Sequence, residues 1–220
     1  MLVRGTMGLC AGVALLGAAV TTSATIAGLD AALARLASDA ASGFWREASF
    51  LASSLGATDL VLPVTAAAGL AMCLLRLWRE ALTLVLAVLA TQLVVHVIKA
   101  LVERPRPSGN DALAGASGFS FPSAHSATSM ALYATIALAL AGACHGRARL
   151  AVAAAGATVI AAIGLSRVLI AAHYPIDVLA GWLTGGALVA ASWLVARRLL
   201  GAPRSAPPGT RPAASPPRPA

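Results

Sequence analysis

Residues 81–98 read ALTLVLAVLATQLVVHVI, a run without a charged side chain, and Lys99 follows it directly. Such a run is nearly long enough to cross the hydrocarbon core of a bilayer as an α-helix, which takes roughly 20 apolar residues. Comparable runs, some with small or weakly polar interruptions, recur along the chain. They predict transmembrane helices at residues 7–29, 55–75, 81–98, 124–143, 150–165 and 176–196. The predicted fold class is all-α, a polytopic membrane protein with a six-transmembrane-helix bundle.

The composition supports a membrane protein rather than a soluble domain. Of 220 residues, 59% are hydrophobic and 11% are charged, and the mean hydropathy is +0.82. The net charge of +8 does not indicate a nucleic-acid partner, because the charges sort by membrane side. If the first helix starts in the cytoplasm, most arginines lie inside, as the positive-inside rule requires. The outer side then holds nearly all the acidic residues, together with the cations Lys99, Arg104, Arg106 and Arg167.

Three regions follow along the chain. Residues 1–54 hold the first transmembrane helix and an outer segment, residues 55–199 hold the remaining helices, and residues 200–220 form a disordered, cytoplasmic Pro/Ala/Arg-rich tail. The first helix is expected to remain as an anchor, with a cleaved signal peptide as the alternative. Residues 30–54 fit an amphipathic interfacial segment or an ordinary linker.

Two further features concern packing. Cysteines 10, 73 and 144 fall near the inner ends of predicted helices, at spacings that suggest neither a disulfide nor a metal site, so they are expected to be packing residues. Gly181 and Gly185 form a Gly-x-x-x-Gly pair in the last helix, which favours close packing inside one bundle over a dimer interface.

Three short clusters hold residues suited to phosphate chemistry. They read Lys-x6-Arg-Pro at residues 99–107, Pro-Ser-x-His at 122–125 and Ser-Arg-x5-His-x3-Asp at 166–177. Hydrolysis of a phosphate ester needs a nucleophile, a proton for the leaving oxygen, and fixed positive charge around the transferred phosphoryl group. The three clusters together contain a candidate for each role.

His173 is the candidate nucleophile. Asp177 follows one helical turn later, where its carboxylate can accept a hydrogen bond from one ring nitrogen while the other nitrogen faces phosphorus. Pro175 lies between them and suits the first turn of a helix, so the last helix is expected to begin there. The helix dipole favours an acidic residue such as Asp177 in that first turn.

Residues 122–125 predict the start of the fourth transmembrane helix, with Ser123 as its N-cap. The unpaired N–H groups of such a helix end bind phosphate, so the Ser123 hydroxyl and the Ala124 amide are expected phosphate contacts. His125 is the candidate general acid that protonates the leaving oxygen. A helix-capping role accounts for a serine at position 123, but it gives no reason for a histidine at position 125.

Three cations from separate helices are expected to surround one phosphate: Lys99, Arg106 and Arg167. Snorkelling at the membrane edge is the alternative, although it does not predict these spacings. Arg104 fits a rim charge or a substrate contact equally well. Ser166 is expected to orient Arg167 or to cap a helix end.

Taken in order, the clusters resemble the motifs of the phosphatidic acid phosphatase type 2 superfamily of lipid phosphatases and vanadium haloperoxidases. The resemblance covers residues 55–196 and implies a lipid phosphatase core at 55–199 and a phosphohistidine intermediate. It implies no metal or other cofactor, and no acidic cluster or His/Cys pair in the sequence offers a metal site. By matching position it assigns catalytic roles to His173, His125 and Asp177, and phosphate binding to Lys99, Arg106, Ser123, Ala124 and Arg167.

This chain departs from the family pattern, or goes beyond it, at three positions. Family members often carry glycine where Ala124 stands, and Arg104 matches no invariant family position. His96 lies one turn before Lys99 and is also outside the motif. A histidine within a membrane helix indicates function by default, but a hydrogen-bonded packing role inside the bundle is the favoured interpretation.

The resemblance implies hydrolysis of a phosphate or diphosphate from a membrane lipid at the outer face of the bilayer. Undecaprenyl diphosphate is the expected substrate, with phosphatidic acid and phosphatidylglycerophosphate as alternatives. The expected location is a bacterial inner membrane, with the active site facing the periplasm or cell exterior and the C-terminus in the cytoplasm.

Two other function classes are possible on the same pattern. A vanadium haloperoxidase would oxidise bromide with vanadate and peroxide, but the membrane helices argue against it. A non-catalytic lipid-binding or transport relative would usually lack a catalytic histidine or cation, and all of them are present here. The motifs carry no information on oligomeric state.

Overall fold

A computed structural model describes residues 2–107 and 118–201 of the chain. Helices account for most of these residues, and the described ranges contain no strand. In chain order the helices are α1 (Leu2–Thr22), α2 (Ala24–Ala40), α3 (Phe44–Ser54), α4 (Thr58–Leu74), α5 (Trp78–Val102), α6 (Ala124–Gly142), α7 (Gly146–Leu169) and α8 (Pro175–Leu200). The predicted all-α class is confirmed.

Five of the described helices are long and apolar enough to cross a membrane: α1, α5, α6, α7 and α8. Helices α3 and α4 pass the same test as a pair, with a bend of 49° between them, and form a sixth span if counted together. Large apolar side chains on the outside of the bundle are exposed, such as Leu93 at 67% and Leu150 at 72%. Lipid tails are as apolar as leucine, so these faces suit a bilayer. The predicted polytopic membrane bundle is confirmed, and it has the predicted six spans when the bent α3–α4 pair counts as one.

The N-terminal helix boundaries differ from the prediction. Instead of one helix over residues 7–29, α1 ends at Thr22 and α2 begins at Ala24. Ser23 lies between them, and its hydroxyl accepts a hydrogen bond from the Ile26 backbone N–H at 3.3 Å. A serine N-cap starts a new helix. Apolar or small residues flank it on both sides, so hydropathy alone did not reveal the break.

Residues 30–54 are mostly helical and comprise the end of α2 and all of α3. Helix α3 packs against α7 and buries Ser49 and Ser53, while Phe44 and Trp45 remain 76% and 66% exposed. The span predicted at 55–75 is α4, which starts after the bend. The α3 segment therefore forms part of the bundle wall rather than only a linker.

Helices α5, α6 and α8 form the centre of the bundle and contact one another pairwise. Helix α1 lies against α8, α7 against α6, and α4 against α5. The main apolar cluster contains the fully buried side chains of Val61, Leu84, Val88 and Leu132. Because consecutive helices reverse direction, the last turns of α5 and α7 and the first turns of α6 and α8 share one end of the bundle. That end carries all three motif clusters.

The glycine pair of α8 packs directly on α6. A Cβ at Gly181 would lie 2.6 Å from the Ser123 carbonyl oxygen, and a Cβ at Gly185 would collide with the Ala127 carbonyl oxygen. Only glycine permits this approach of two backbones. The contact holds the start of α6 beside the start of α8, in agreement with the packing role predicted for this pair.

Part of the predicted irregular structure lies outside the described residues. The connection between the first two motifs is non-helical at 103–107 and 118–123, and its middle falls outside the described ranges. So does the tail predicted to be disordered, from residue 202 onward. Cysteines 10, 73 and 144 are free, as expected.

We expect Gly185→Ala to lower the stability of the bundle by ~1–3 kcal/mol, because the added methyl group overpacks the α6–α8 contact. The measurement is thermal unfolding in detergent, followed by tryptophan fluorescence.

The matched control is Gly186→Ala, where a Cβ meets only Leu9 Cδ1 at 3.9 Å. This variant should be neutral or slightly stabilising, since alanine has the higher helix propensity. Equal unfolding temperatures for the two variants would contradict the close α6–α8 contact.

Candidate active site

A cavity of about 880 Å³ lies at the end of the bundle where the motif segments meet. Its wall is built from α3, α4, α5, α6, α7 and the neighbouring connections. Six of the predicted catalytic and phosphate-binding residues line it: Lys99, Arg106, Ala124, His125, Arg167 and His173. Within residues 2–107 and 118–201, no three His, Cys, Asp or Glu side chains cluster so as to hold a metal ion. The lining is instead rich in cations and imidazoles.

His173 lies in the connection between α7 and α8 and is 2% exposed. Its Nδ1 is 3.5 Å from Asp177 Oδ2 and 3.4 Å from the Ser120 hydroxyl, and its Nε2 is 3.1 Å from Nη1 of Arg106. A guanidinium only donates, so Nε2 must be the acceptor. The proton of the neutral ring therefore sits on Nδ1, toward Asp177, and the lone pair of Nε2 is on the side of Arg106.

The surroundings keep the His173 ring neutral. Burial lowers the pKa of His173 to about 4, although the hydrogen bond and the charge of Asp177 raise it. The positive charges of Arg106 and Arg167 lower this pKa further. A neutral ring has a lone pair available at neutral pH, as a nucleophilic histidine requires.

Asp177 is fully buried and lies in the first turn of α8, as predicted. Its Oδ2 accepts hydrogen bonds from the Tyr174 backbone N–H at 3.0 Å and from the Ser120 hydroxyl. Its Oδ1 accepts from Nη1 of Arg104 at 2.6 Å. These donors hold the carboxylate in one orientation, with Oδ2 beside the His173 ring.

Lys99 and Arg106 reach the cavity from the end of α5 and the residues after it. Lys99 donates hydrogen bonds to the carbonyl oxygens of Phe119 and Ser120. Arg106 donates to the Ala172 carbonyl oxygen at 2.8 Å, next to its contact with His173. Hydrogen bonds to backbone carbonyls therefore help to position both cations beside the cavity.

Arg167 lies in the last turn of α7 and is 4% exposed. Its Nη1 donates to the Ser53 hydroxyl, and its Nε is a buried donor without a hydrogen-bond partner among the described residues. An unpaired buried N–H is costly, and an anion in the cavity would satisfy it. The role expected for Ser166 is not seen, since its hydroxyl donates to the Ile163 carbonyl oxygen at 2.7 Å.

Helix α6 starts at Ala124 with Ser123 as its N-cap, as predicted. The Ser123 hydroxyl accepts from the backbone N–H and the hydroxyl of Ser126, at 3.4 and 3.0 Å. Ser123 is fully buried and does not line the cavity, whereas Ala124 and His125 do. No described residue hydrogen-bonds to the His125 ring. The helix end therefore presents Ala124 and His125 to the cavity, and the Ser123 hydroxyl stabilises the helix.

The expectation of a rim charge or a substrate contact at Arg104 is wrong. The Arg104 side chain is 7% exposed and forms salt bridges of 2.8 Å with Asp30 and 2.6 Å with Asp177. Its guanidinium carbon also lies 4.0 Å from the ring centroid of Tyr174, a cation–π contact. Asp30 accepts a further hydrogen bond from the Ile176 backbone N–H at 3.0 Å. Arg104 thus joins α2 to the first turn of α8.

The site includes residues that motif reasoning missed. Asp30, Ser53 and Ser120 are all buried against it. Burial raises the pKa of Asp30, while its hydrogen bonds with Arg104 and Ile176 lower it. Of these three residues, only Asp30 could have been recognised from the sequence, because a single acidic residue in a largely apolar stretch indicates a specific partner. No sequence pattern distinguishes Ser53 or Ser120 from other serines.

His96 does not pack inside the bundle as predicted. It is exposed on the cavity wall, and its Nδ1 lies 2.6 Å from the Gln92 carbonyl oxygen. The spacing to Lys99 places both side chains on the same face of α5. The motif did not include His96, although helical periodicity alone puts it near the site.

Comparison with known proteins gives two matches. A family model described as "PAP2 superfamily" matches residues 80–200, more than half of the chain. The fold is similar to the crystal structure of the first transmembrane PAP2 type phosphatidylglycerolphosphate phosphatase from Bacillus subtilis, with 26% sequence identity and a TM-score of 0.77. That match covers 88% of this chain and 94% of the other. No protein with a curated description matches this sequence.

Replacing Arg104 with Gln is expected to lower stability by ~3–5 kcal/mol, because it leaves Asp30 and Asp177 buried without their cation. The unfolding temperature in detergent measures the loss.

A second substitution separates charge from packing. Asp30→Asn added to Arg104→Gln should recover part of the loss, since one of the two unpaired carboxylates is removed. Arg35→Gln on the exposed face of α2 is the control and should leave the unfolding temperature unchanged. No loss in Arg104→Gln, or no recovery in the double variant, would contradict this account.

Proposed function

The chain belongs to the PAP2 superfamily, and on that premise we propose that it is an integral-membrane phosphatase that removes phosphate from a membrane lipid. The reaction proceeds through a phosphohistidine on His173. The observation that carries this proposal is the convergence of two histidines and three cations on one cavity. These residues stand in four separate segments of the chain, and snorkelling at a membrane edge would not direct them to a common point.

The cations hold the phosphate. Lys99, Arg106 and Arg167 line the cavity, and the unpaired Nε of Arg167 offers a donor that no described residue uses. The backbone N–H groups at the start of α6, beside Ala124, add the partial positive charge of a helix N-terminus. Charge of this kind, fixed before the substrate arrives, stabilises the negative charge on the transferring phosphoryl group.

In the first step, the lone pair of His173 Nε2 attacks phosphorus as the bond between phosphorus and the leaving oxygen breaks. Arg106 hydrogen-bonds to Nε2 in this structure and must turn to a phosphate oxygen for the attack to occur. Asp177 stabilises the positive charge that develops on the ring, through the Nδ1 proton. His125, in its protonated form, gives a proton to the leaving oxygen.

In the second step, water attacks the phosphohistidine. His125, now neutral, takes a proton from that water, and the bond between phosphorus and Nε2 breaks. Inorganic phosphate leaves, His173 returns to the neutral form, and His125 regains its proton. The cycle balances with water as the only co-substrate.

The cavity end of the bundle faces the periplasm or cell exterior in this proposal. The distribution of arginines supports this orientation, because most of those outside the motif region, such as Arg76, Arg147 and Arg197, lie at the opposite helix ends. The C-terminus then lies in the cytoplasm. An outward-facing site suits a lipid with its tail in the bilayer and its phosphate at the interface.

Two substrate classes fit this site. Undecaprenyl diphosphate is the substrate expected from the motif resemblance. Glycerophospholipid phosphates such as phosphatidic acid or phosphatidylglycerophosphate are favoured by the similar Bacillus subtilis structure, whose description names a phosphatidylglycerolphosphate phosphatase. A non-catalytic lipid-binding role is less well supported, because the histidine, carboxylate and cationic groups that catalysis needs are all present.

The direct test is phosphate release by detergent-purified protein in excess EDTA, from both substrate classes. We expect release by the parent and at least a ~10³-fold loss in His173→Ala, since the nucleophile is gone. Asp177→Asn should retain weak activity, and orthovanadate should inhibit the parent. Full activity in His173→Ala, or none in well-folded parent on either class, would overturn the proposal.

The role of His125 can be separated from that of His173 by the leaving group. His125→Ala should lower kcat on a lipid phosphate ~10²–10⁴-fold, because the alkoxide then leaves without a proton. With p-nitrophenyl phosphate, whose leaving group needs no proton, the loss should be much smaller in the first step. His173→Ala should be inactive on both substrates. A single turnover reports this first step alone, through release of p-nitrophenol or of the lipid alcohol, and equal losses for His125→Ala on both substrates there would contradict a general-acid role.

The pH dependence follows from the lowered pKa of His173. A ring with a pKa of about 4 stays neutral as pH falls below its ordinary value of 6.5, and the nucleophile is lost only near pH 4. We therefore expect kcat/KM to fall on the acid side with a midpoint near that pH. The profile must first be corrected for ionisation of the substrate in the same micelles. Asp177→Asn should move the midpoint lower, because the carboxylate raises this pKa. A midpoint at 6.5 would contradict the assignment.

A further inference from the structure

The cavity continues beyond the phosphate site along one face of α5. Gln92, His96 and Lys99 follow one another at spacings of four and three residues, which puts them in line on a single helix face. All three line the cavity, together with Thr58 at the start of α4. We call Thr58, Gln92 and His96 the polar wall. It lies inside candidate membrane spans, where polar side chains are costly unless they serve a bound group.

The hydrogen bonds within the polar wall determine which donors and acceptors remain for a ligand. The Gln92 carbonyl oxygen can only accept, so the 2.6 Å contact makes His96 Nδ1 the donor and leaves Nε2 as the second polar atom of that ring. Gln92 Nε2 donates to the Thr58 hydroxyl oxygen at 3.4 Å. The second amide N–H, the amide oxygen and the Thr58 hydroxyl proton have capacity for further bonds. The wall therefore offers donors and acceptors without a fixed charge.

The position of the polar wall along the membrane span favours one class of lipid substrate over another. A helix rises about 1.5 Å per residue, so His96 is about 4.5 Å and Gln92 about 10.5 Å further along α5 than Lys99, toward the middle of the span. A phosphate held at Lys99 places the next part of the lipid against these side chains. Over that distance a glycerophospholipid carries hydroxyl, ester or phosphodiester oxygens. A polyprenyl diphosphate carries one further phosphate and then hydrocarbon alone.

If a hydrocarbon chain lay against Gln92 and Thr58, their polar groups would have no hydrogen-bond partner on the ligand. The oxygens of a glycerol backbone can form hydrogen bonds with these groups. From this match we infer that the polar wall is a headgroup subsite for the oxygens next to the scissile phosphate. It makes a glycerophospholipid phosphate monoester the preferred substrate. The inference rests on the proposed phosphatase function and identifies the residues that set its specificity.

The test compares two phosphate monoesters that differ in those oxygens: dioleoyl phosphatidic acid and hexadecyl phosphate, each in mixed detergent micelles. The parent should prefer phosphatidic acid in kcat/KM by about tenfold or more, as expected for two or more hydrogen bonds. His96→Leu and Gln92→Leu should each reduce kcat/KM on phosphatidic acid about five- to tenfold. Their activity on hexadecyl phosphate should stay within about twofold of the parent.

Matched controls come from the same turns of α5. Leu93 and Val97 are 67% and 50% exposed and lie outside the cavity lining. Leu93→Ala and Val97→Ala should leave the ratio of the two activities unchanged. Thermal unfolding of each variant checks that it folds, and leucine at position 92 or 96 suits a membrane helix.

Three results would overturn the subsite: equal activity of the parent on both monoesters, equal losses on both in His96→Leu and Gln92→Leu, or a preference for undecaprenyl diphosphate over phosphatidic acid that survives in those variants. These results leave the phosphatase function intact. Absence of phosphate release from all three lipids by folded parent would instead overturn the proposed function, and the subsite with it.

Discussion

The buried carboxylate of Asp177 is the interaction on which the rest of the site depends. It accepts hydrogen bonds from Arg104, the Ser120 hydroxyl and the Tyr174 backbone N–H, and lies against the His173 ring. A carboxylate with no exposed surface is tolerable only when it is paired and hydrogen-bonded. The partners come from separate segments, so satisfying this one charge brings the start of α8 together with both ends of the α5–α6 connection. Arg104 in turn links this assembly to α2 through Asp30. The orientation of His173 follows from that assembly.

The second constraint is the concentration of positive charge around one cavity, where Lys99, Arg106 and Arg167 meet. Asp30 and Asp177 pair with Arg104, whereas Lys99 donates to the Phe119 and Ser120 carbonyl oxygens and Arg106 donates to the Ala172 carbonyl oxygen. Concentrating such charge beside the hydrocarbon region costs free energy in the folded protein. A phosphate bound among these cations offsets that cost, so the same arrangement favours binding of the anion. Family membership and local geometry therefore indicate the same chemistry by independent routes.

Local sequence rules predicted the elements of the site well where one segment carried the signal. The Ser123 cap and the start of α8 at Pro175 each depend on neighbouring residues, and each was confirmed. The failures at Ser23 and Arg104 have a different cause. The break at Ser23 lies between small or apolar residues, so it hardly changes the hydropathy profile. A charged residue such as Arg104 is expected to be exposed unless its partner, which is distant in sequence, is known.

The sequence by itself determined the membrane-spanning helices, the motif residues and the type of reaction they suit, because hydrophobic length, helix capping and motif spacing are local properties of the chain. Only the tertiary structure decided which cations are paired, which serine hydroxyls reach the site, and that His96 lies on the cavity wall. These outcomes depend on contacts between segments far apart in sequence, such as Asp30 with Arg104 and Ser53 with Arg167. Burial and pairing are properties of the assembled bundle, so no single stretch of residues contains them.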